Sequence, residues 1–115
     1  MTRLLRIRYE GALYHAMSRG NERRPIVRDD QDRSQRLQWY GRTVDIYGWR
    51  PHAFCLMRNH DHLFIETPRA NLSAGMQYLN GGYRSAFNAR HRRRGHLFQG
   101  RFKAHQQDAD VRCSL

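Results

Sequence analysis

The stretch Trp49–Pro68, WRPHAFCLMRNHDHLFIETP, decides the fold. Its first half holds the unbroken apolar run Ala53-Phe54-Cys55-Leu56-Met57, too short for a helix and closed by the turn-forming pair Arg58-Asn59, so it reads as a central strand. Asp61 to Thr67 reads as the partner strand, closed by Pro68, and the short connection makes the two a hairpin.

Upstream, Ala12 to Ser18 alternates in part and runs into Arg19-Gly20-Asn21, as a strand entering a turn does. Asp29, Asp30 and Asp32 supply an N-cap and negative charge for a first helical turn. Leu37, Tyr40, Val44 and Tyr47 follow at helical spacing, and Gly48 is placed as a C-cap, so a helix is expected from about Asp30 to Tyr47. Downstream, Asn71 is a good N-cap for a second helix whose Leu72, Met76, Leu79, Tyr83 and Phe87 form one stripe. Gly75, Gly81 and Gly82 weaken that helix by up to about 1 kcal/mol each relative to Ala, and close backbone approach is one use for them. Gly95 is expected to end it, Arg101 to Gln106 to form a fourth strand, and Asp108 and Asp110 to open a further helix cut short at Leu115. The order β-α-β-β-α-β predicts an α+β, ferredoxin-like domain over residues 1–115, with two helices on one face of an antiparallel sheet and a truncated final helix.

Twenty arginines and Lys103 against ten acids give a formal charge of +11, which makes a polyanion the natural partner. The charge is uneven. Between Thr67 and Gln107 lie Arg69, Arg84, Arg90, Arg92, Arg93, Arg94, Arg101 and Lys103, with no acid among them. Phosphate contacts are expected from Arg84 onward in this set, joined by Arg19 and Asn21 at the first turn. A planar guanidinium forks onto a phosphate and also stacks on an exposed base. The alternative is a solvated, arginine-rich face. Cys55 reads as a small buried residue and Cys113 sits near the end, so neither a disulfide framework nor a metal-type pair is present and a reducing, cytoplasmic setting is expected. No apolar stretch approaches a membrane span, and Arg3, Arg6 and Arg8 interrupt any secretory signal core.

The most specific local feature is Asn59-His60-Asp61-His62 at a strand start. Alternation places His60 and His62 on one face, roughly 6.5 to 7 Å apart along the backbone, within reach of one cation. Two histidines on a rigid strand are a start for a divalent site. Taken alone, the pair reads equally as two histidines on a half-exposed strand.

The wider pattern comprises Tyr14-His15, Ser18-Arg19-Gly20-Asn21, Trp49, His52 through Met57, Asn59 through Leu63, Asn71-Leu72-Ser73 and Gly95 through Lys103. In order and spacing it resembles the single-tyrosine HUH transposases, in the REP-associated and insertion-sequence branch. The resemblance implies that His60 and His62 ligate a divalent metal, magnesium or manganese, that polarises a phosphate of single-stranded or hairpin DNA. It further implies attack by a tyrosine of the C-terminal helix, giving a 5′-phosphotyrosine link during DNA transposition.

Two positions depart from that pattern. Asp61 stands where the family has an apolar residue, facing away from the ligands, which puts it either at a wet strand end or in poor surroundings. By spacing the nucleophile position falls near Arg112, which stays protonated and cannot attack, and no tyrosine follows Tyr83. The family's third ligand would fall at or past Leu115. The expectation is therefore a transposase-like DNA-binding domain without its tyrosine helix and impaired in catalysis, and whether it acts as an enzyme is left open. A basic RNA- or DNA-binding module without metal, or a nuclease using water, are the alternatives. Tyr83 lies on the apolar stripe and Tyr78 one position off it, so neither is assigned as a substitute. His15 and His52 are expected to be structural, and His91, His96 and His105 lie in the basic half. Phe98 and Phe102 are candidates for base stacking or for plugging the sheet edge. Pairing with a second copy, as a homodimer, is left open.

Overall fold

The computed structural model describes residues 11–107, so the expectations placed on Asp108, Asp110, Arg112 and Cys113 lie outside the described residues. Strand β1 (Ala12–Arg19) pairs antiparallel with β3 (His60–Thr67), in register from Ala12 opposite Thr67 to Arg19 opposite His60. Strands β2 (Arg50–Leu56) and β4 (Lys103–Gln107) flank them, giving the order β2-β3-β1-β4. With helices α1 (Asp30–Tyr47) and α2 (Leu72–His91) between strands, this is the expected ferredoxin-like arrangement.

One expectation about the hairpin is overturned. β2 is an edge strand, and Cys55 is exposed rather than buried. The cause is pleating: Phe54 turns inward to stack on Tyr40, with ring centroids 5.1 Å apart, while Ala53 and Cys55 turn to the face that no helix covers. The same alternation in β3 buries Asp61, Leu63, Ile65 and Thr67 beneath the helices and leaves His60, His62, Phe64 and Glu66 half-buried on the open face.

Helix α1 starts at Asp29, whose carboxylate accepts from the Asp32 amide at 3.0 Å, and stops at Gly48 in the left-handed conformation, φ 69°. Its inward face is Asp32, Arg36, Tyr40 and Thr43; Leu37, expected inside, is 49% exposed. The helix turns its polar ridge to the sheet because Arg36 has a buried partner there, described below. α2 buries Leu72, Met76, Leu79, Tyr83 and Phe87 as expected, with Gly75 beside them. A Cβ on Gly75 would lie 2.1 Å from Trp49 and one on Gly82 2.3 Å from Trp39, so both glycines let an indole reach the helix backbone. Asn71 occupies the N-cap position without capping: its amide accepts from Trp49 Nε1 at 3.0 Å and donates to the Tyr47 carbonyl at 2.9 Å. α2 ends earlier than Gly95, at His91, with Arg92 itself in the left-handed conformation, φ 53°.

The helix side of the sheet holds two apolar clusters, a larger one around Tyr14, Leu63, Ile65 and Met76 and a smaller one around Ile26, Tyr83, Phe87 and Leu97. β4 joins β1 from Met17 opposite Lys103 to Leu13 opposite Gln107. Further along, Gly20 bridges Phe98, the Asn21 amide donates to the Leu97 carbonyl at 2.8 Å and the Gln99 amide to the Arg19 carbonyl at 2.8 Å. Gly100 to Phe102 therefore arches between two points fixed to β1. No helix among the described residues is long and apolar enough to cross a membrane.

Candidate metal and nucleic-acid site

Asp61 is not at a wet strand end, and a cation meets its burial. It lies fully buried, and Arg36 Nε donates to its Oδ2 at 2.6 Å from an equally buried side chain. The guanidinium sits over the rings of Tyr83 at 5.1 Å and Phe98 at 4.9 Å, and also donates to Asn80 Oδ1 at 2.9 Å. The Asn80 amide in turn donates to Ser18 Oγ at 3.0 Å. Arg36 gave no signal in the sequence, since a charged residue at a helical position reads as solvated; only its spacing of four from Asp32 and from Tyr40 hints at a shared face. The network ties α1, α2 and β1 to the strand position between the two histidines.

On the open face, the His60 and His62 rings meet edge to face with centroids 5.0 Å apart. Asn59 Oδ1 lies 2.8 Å from His60 Nδ1. That oxygen is an acceptor only, so His60 Nδ1 carries the proton and Nε2 keeps its lone pair. His62 Nδ1 lies 2.8 Å from His15 Nε2. With the shared proton on His62, its Nε2 is likewise a free lone pair. His15 stacks on Phe64 with centroids 4.4 Å apart, and its pKa is lowered first by burial and then by the neighbouring His62 and His105, which keeps its ring neutral. His15 thus joins the site instead of standing apart as a structural residue. Two imidazoles, each oriented through Nδ1, are a start for holding a divalent ion, with oxygen ligands such as water or phosphate completing its shell. Among the described residues no group of three His, Cys, Asp or Glu side chains converges to hold one.

The basic residues separate into groups. Arg19, opposite His60, and Lys103, opposite Met17, are exposed beside the histidines. Arg84 and Arg101 line a cavity of about 550 Å³ between α2 and the arch, with Phe98 and Phe102 in its wall. Arg92 and Arg94 are exposed past the end of α2. Arg93 folds back over the Phe87 ring, 5.6 Å from its centroid, and Asn21 lies across the same small cleft. Arg90, expected among the DNA-contacting residues, has both arms on Asp29 at 2.7 Å, and one also reaches Asp32 at 2.7 Å. His91 does the same, 2.8 Å from Asp32. The sequence shows these acids only as a helix cap; their second use, closing on the far end of α2, is a tertiary contact.

The described tyrosines do not serve this face. Tyr83 donates its hydroxyl to the Ile26 carbonyl, and burial, with Asp32 nearby, pushes its pKa up. Tyr40 is pushed up to about 12 by burial and then by Asp61. Tyr78 packs edge-on to Trp39, centroids 5.3 Å apart.

The chain has relatives in both sequence and fold. It matches the family described as Transposase IS200 like over residues 8–112. Its fold is similar to that of a REP-associated tyrosine transposase solved bound to a REP hairpin, with TM-score 0.71 at 13% identity over 93% of this chain and 64% of that one. The chain thus spans 64% of the length of that relative. A crystal structure from Deinococcus radiodurans R1, provisionally described as a transposase, gives TM-score 0.68 at 15% identity, over 92% of this chain and 87% of that one. No curated protein sequence matches. The family match covers nearly the whole sequence, and the solved structures share its architecture: this chain belongs to the Transposase IS200 like family.

Proposed function

We propose that this chain is a transposase domain that binds single-stranded or hairpin DNA and brings a backbone phosphate to a divalent ion, magnesium or manganese, held by His60 and His62. The observation that carries this reading is the pairing of the two imidazoles on the open face, each with Nδ1 held and Nε2 free among the described residues. When bound, the ion supplies Lewis-acid stabilisation of charge developing on a phosphate oxygen. The protein's own part is to fix both rings, to keep His15 neutral beside them, and to attract the strand with Arg19 and Lys103. The path continues over the sheet edge to Arg84 and Arg101. Arg92 and Arg94 extend the positive surface past α2. A relative solved on a REP hairpin supports a hairpin substrate.

The test is calorimetric titration with manganese, followed by affinity for a hairpin oligonucleotide carrying a single-stranded flank. His60→Ala and His62→Ala should each abolish ion uptake and weaken the hairpin complex in the presence of manganese. Absence of uptake by the unaltered protein, with DNA affinity unmoved by either substitution, would instead establish a basic nucleic-acid module without metal. That second reading is favoured by the absence of a third convergent ligand among the described residues.

A further inference from the structure

A second basic site lies on the other side of the segment that walls the large cavity. His96 and Leu97 line both hollows, and the smaller, about 90 Å³, is bounded by Asn21, Arg24, Arg28, Phe87 and Arg93. Arg28 and Arg93 bring their guanidiniums over one phenyl ring, Phe87, at 5.3 and 5.6 Å from its centroid. Among the described residues the Arg93 guanidinium donates to neutral oxygens, Asn88 Oδ1 at 2.8 Å and the His96 carbonyl at 3.3 Å. Glu22 holds Arg24 at 3.0 Å on the outside, where the two side chains are 68% and 67% exposed, and such a pair is worth little; Asp32 Oδ2 accepts from the Arg28 backbone amide at 2.8 Å, but no carboxylate among the described residues pairs with the Arg28 or Arg93 guanidinium. No acid among the described residues lines the cleft itself.

This contrasts with the adjoining Arg90 and His91, which the same helix ends neutralise with Asp29 and Asp32. Like charges gathered around a small hollow repel unless an anion offsets them. A guanidinium fork matches phosphate oxygens, and the Phe87 ring holds the two forks apart and in place. The hollow suits a phosphate group and is too small for a nucleoside.

We infer that the cleft of Arg24, Arg28, Arg93 and His96 is a phosphate-binding site separate from the histidine site. Resting on the DNA reading above, it holds a backbone phosphate of the bound strand next to the nucleotide-sized cavity beyond His96. It acts as an anchor and takes no part in chemistry.

The experiment has two arms, both comparing the unaltered protein with the double variant R28Q/R93Q. In the first, melting is followed in inorganic phosphate and in chloride at equal ionic strength; phosphate should raise the melting temperature of the unaltered protein and the double variant should lose that rise. In the second, affinity for a single-stranded oligonucleotide is measured over a salt series. The slope of log affinity against log salt should become shallower by about 0.7 for one lost phosphate contact. Manganese uptake should be unchanged, because these residues lie away from His60 and His62. A retained phosphate shift with an unchanged slope overturns the site while leaving the DNA reading standing. A lost phosphate shift in a protein that binds no oligonucleotide upholds the site for free phosphate and overturns the DNA source. If the double variant does not fold, Arg24→Gln, on an exposed side chain, takes its place in both arms.

Discussion

Arg36 and Asp61 meet with Nε 2.6 Å from Oδ2, both side chains fully buried, on the opposite side of β3 from His60 and His62. Because neighbouring residues of a strand face opposite ways, the residue between the histidines is the natural place to hold their strand down from behind. An ion pair does this at a desolvation cost, and here Arg36 Nη1 and Asp61 Oδ1 lack partners among the described residues.

Replacing one partner is therefore expected to cost far more than replacing both. Asp61→Ala leaves the Arg36 charge buried and should destabilise by about 3 to 5 kcal/mol. The double variant Asp61→Leu with Arg36→Met should recover most of that loss in urea unfolding. A single-variant loss below about 1 kcal/mol would show that water reaches Arg36.

The clamp between the helix ends has a pH signature. Hydrogen bonds from Arg90 and then from the Asp32 amide hold the Asp29 carboxyl below its usual 3.8. A depressed carboxylate stabilises the fold above its unfolded pKa, and the contribution fades as pH falls through that value toward the folded one. The melting-temperature gap between the unaltered protein and Asp29→Asn should be full at pH 6 and shrink progressively below about pH 4. A gap independent of pH would contradict the assignment.

The three glycines of α2 should respond differently to alanine. Gly81 faces open space, so Gly81→Ala should stabilise by up to about 1 kcal/mol through helix propensity. Gly75→Ala drives a methyl into Trp49, and Gly82→Ala into Trp39, so both should destabilise in chemical denaturation. Equal responses at Gly75 and Gly81 would mean that Trp49 does not pack as described.

His15→Phe keeps the stacking on Phe64 and removes both ring nitrogens, among them the Nε2 next to His62. Manganese affinity should fall by about 10- to 100-fold, the usual effect of losing an outer-shell partner, with little change in melting temperature. His105→Phe, farther off with its ring 6.4 Å from His15, should leave affinity nearly unmoved.

Periodicity made most of the fold legible. The α2 stripe from Leu72 to Phe87, the Asp29 cap and the Gly48 stop each involve residues close in the chain, and local patterns report local structure. The histidine pair was legible for the same reason, since strand alternation alone puts His60 and His62 on one face. What escaped was tertiary. Hydrophobic spacing turned α1 toward Leu37, because no pattern in one helix announces that Asp61, 25 positions away from Arg36, awaits a cation. The run from Ala53 to Met57 reads as a central strand because apolar residues on an open sheet face look like core, yet β2 lies at the edge. The clamp of Arg90 on Asp29 and Asp32 is also silent in the sequence, because charge composition does not tell a paired arginine from a free one.

The arch of Gly100 to Phe102 is fastened at Gly20 opposite Phe98 on one side and at Met17 opposite Lys103 on the other. Residues added to or removed from it reshape the cavity wall while both fastenings, and the histidine strand behind them, keep their register. On the reading proposed above, what the arch would hold and where the histidine pair sits are mechanically separate: a change in one leaves the other in place.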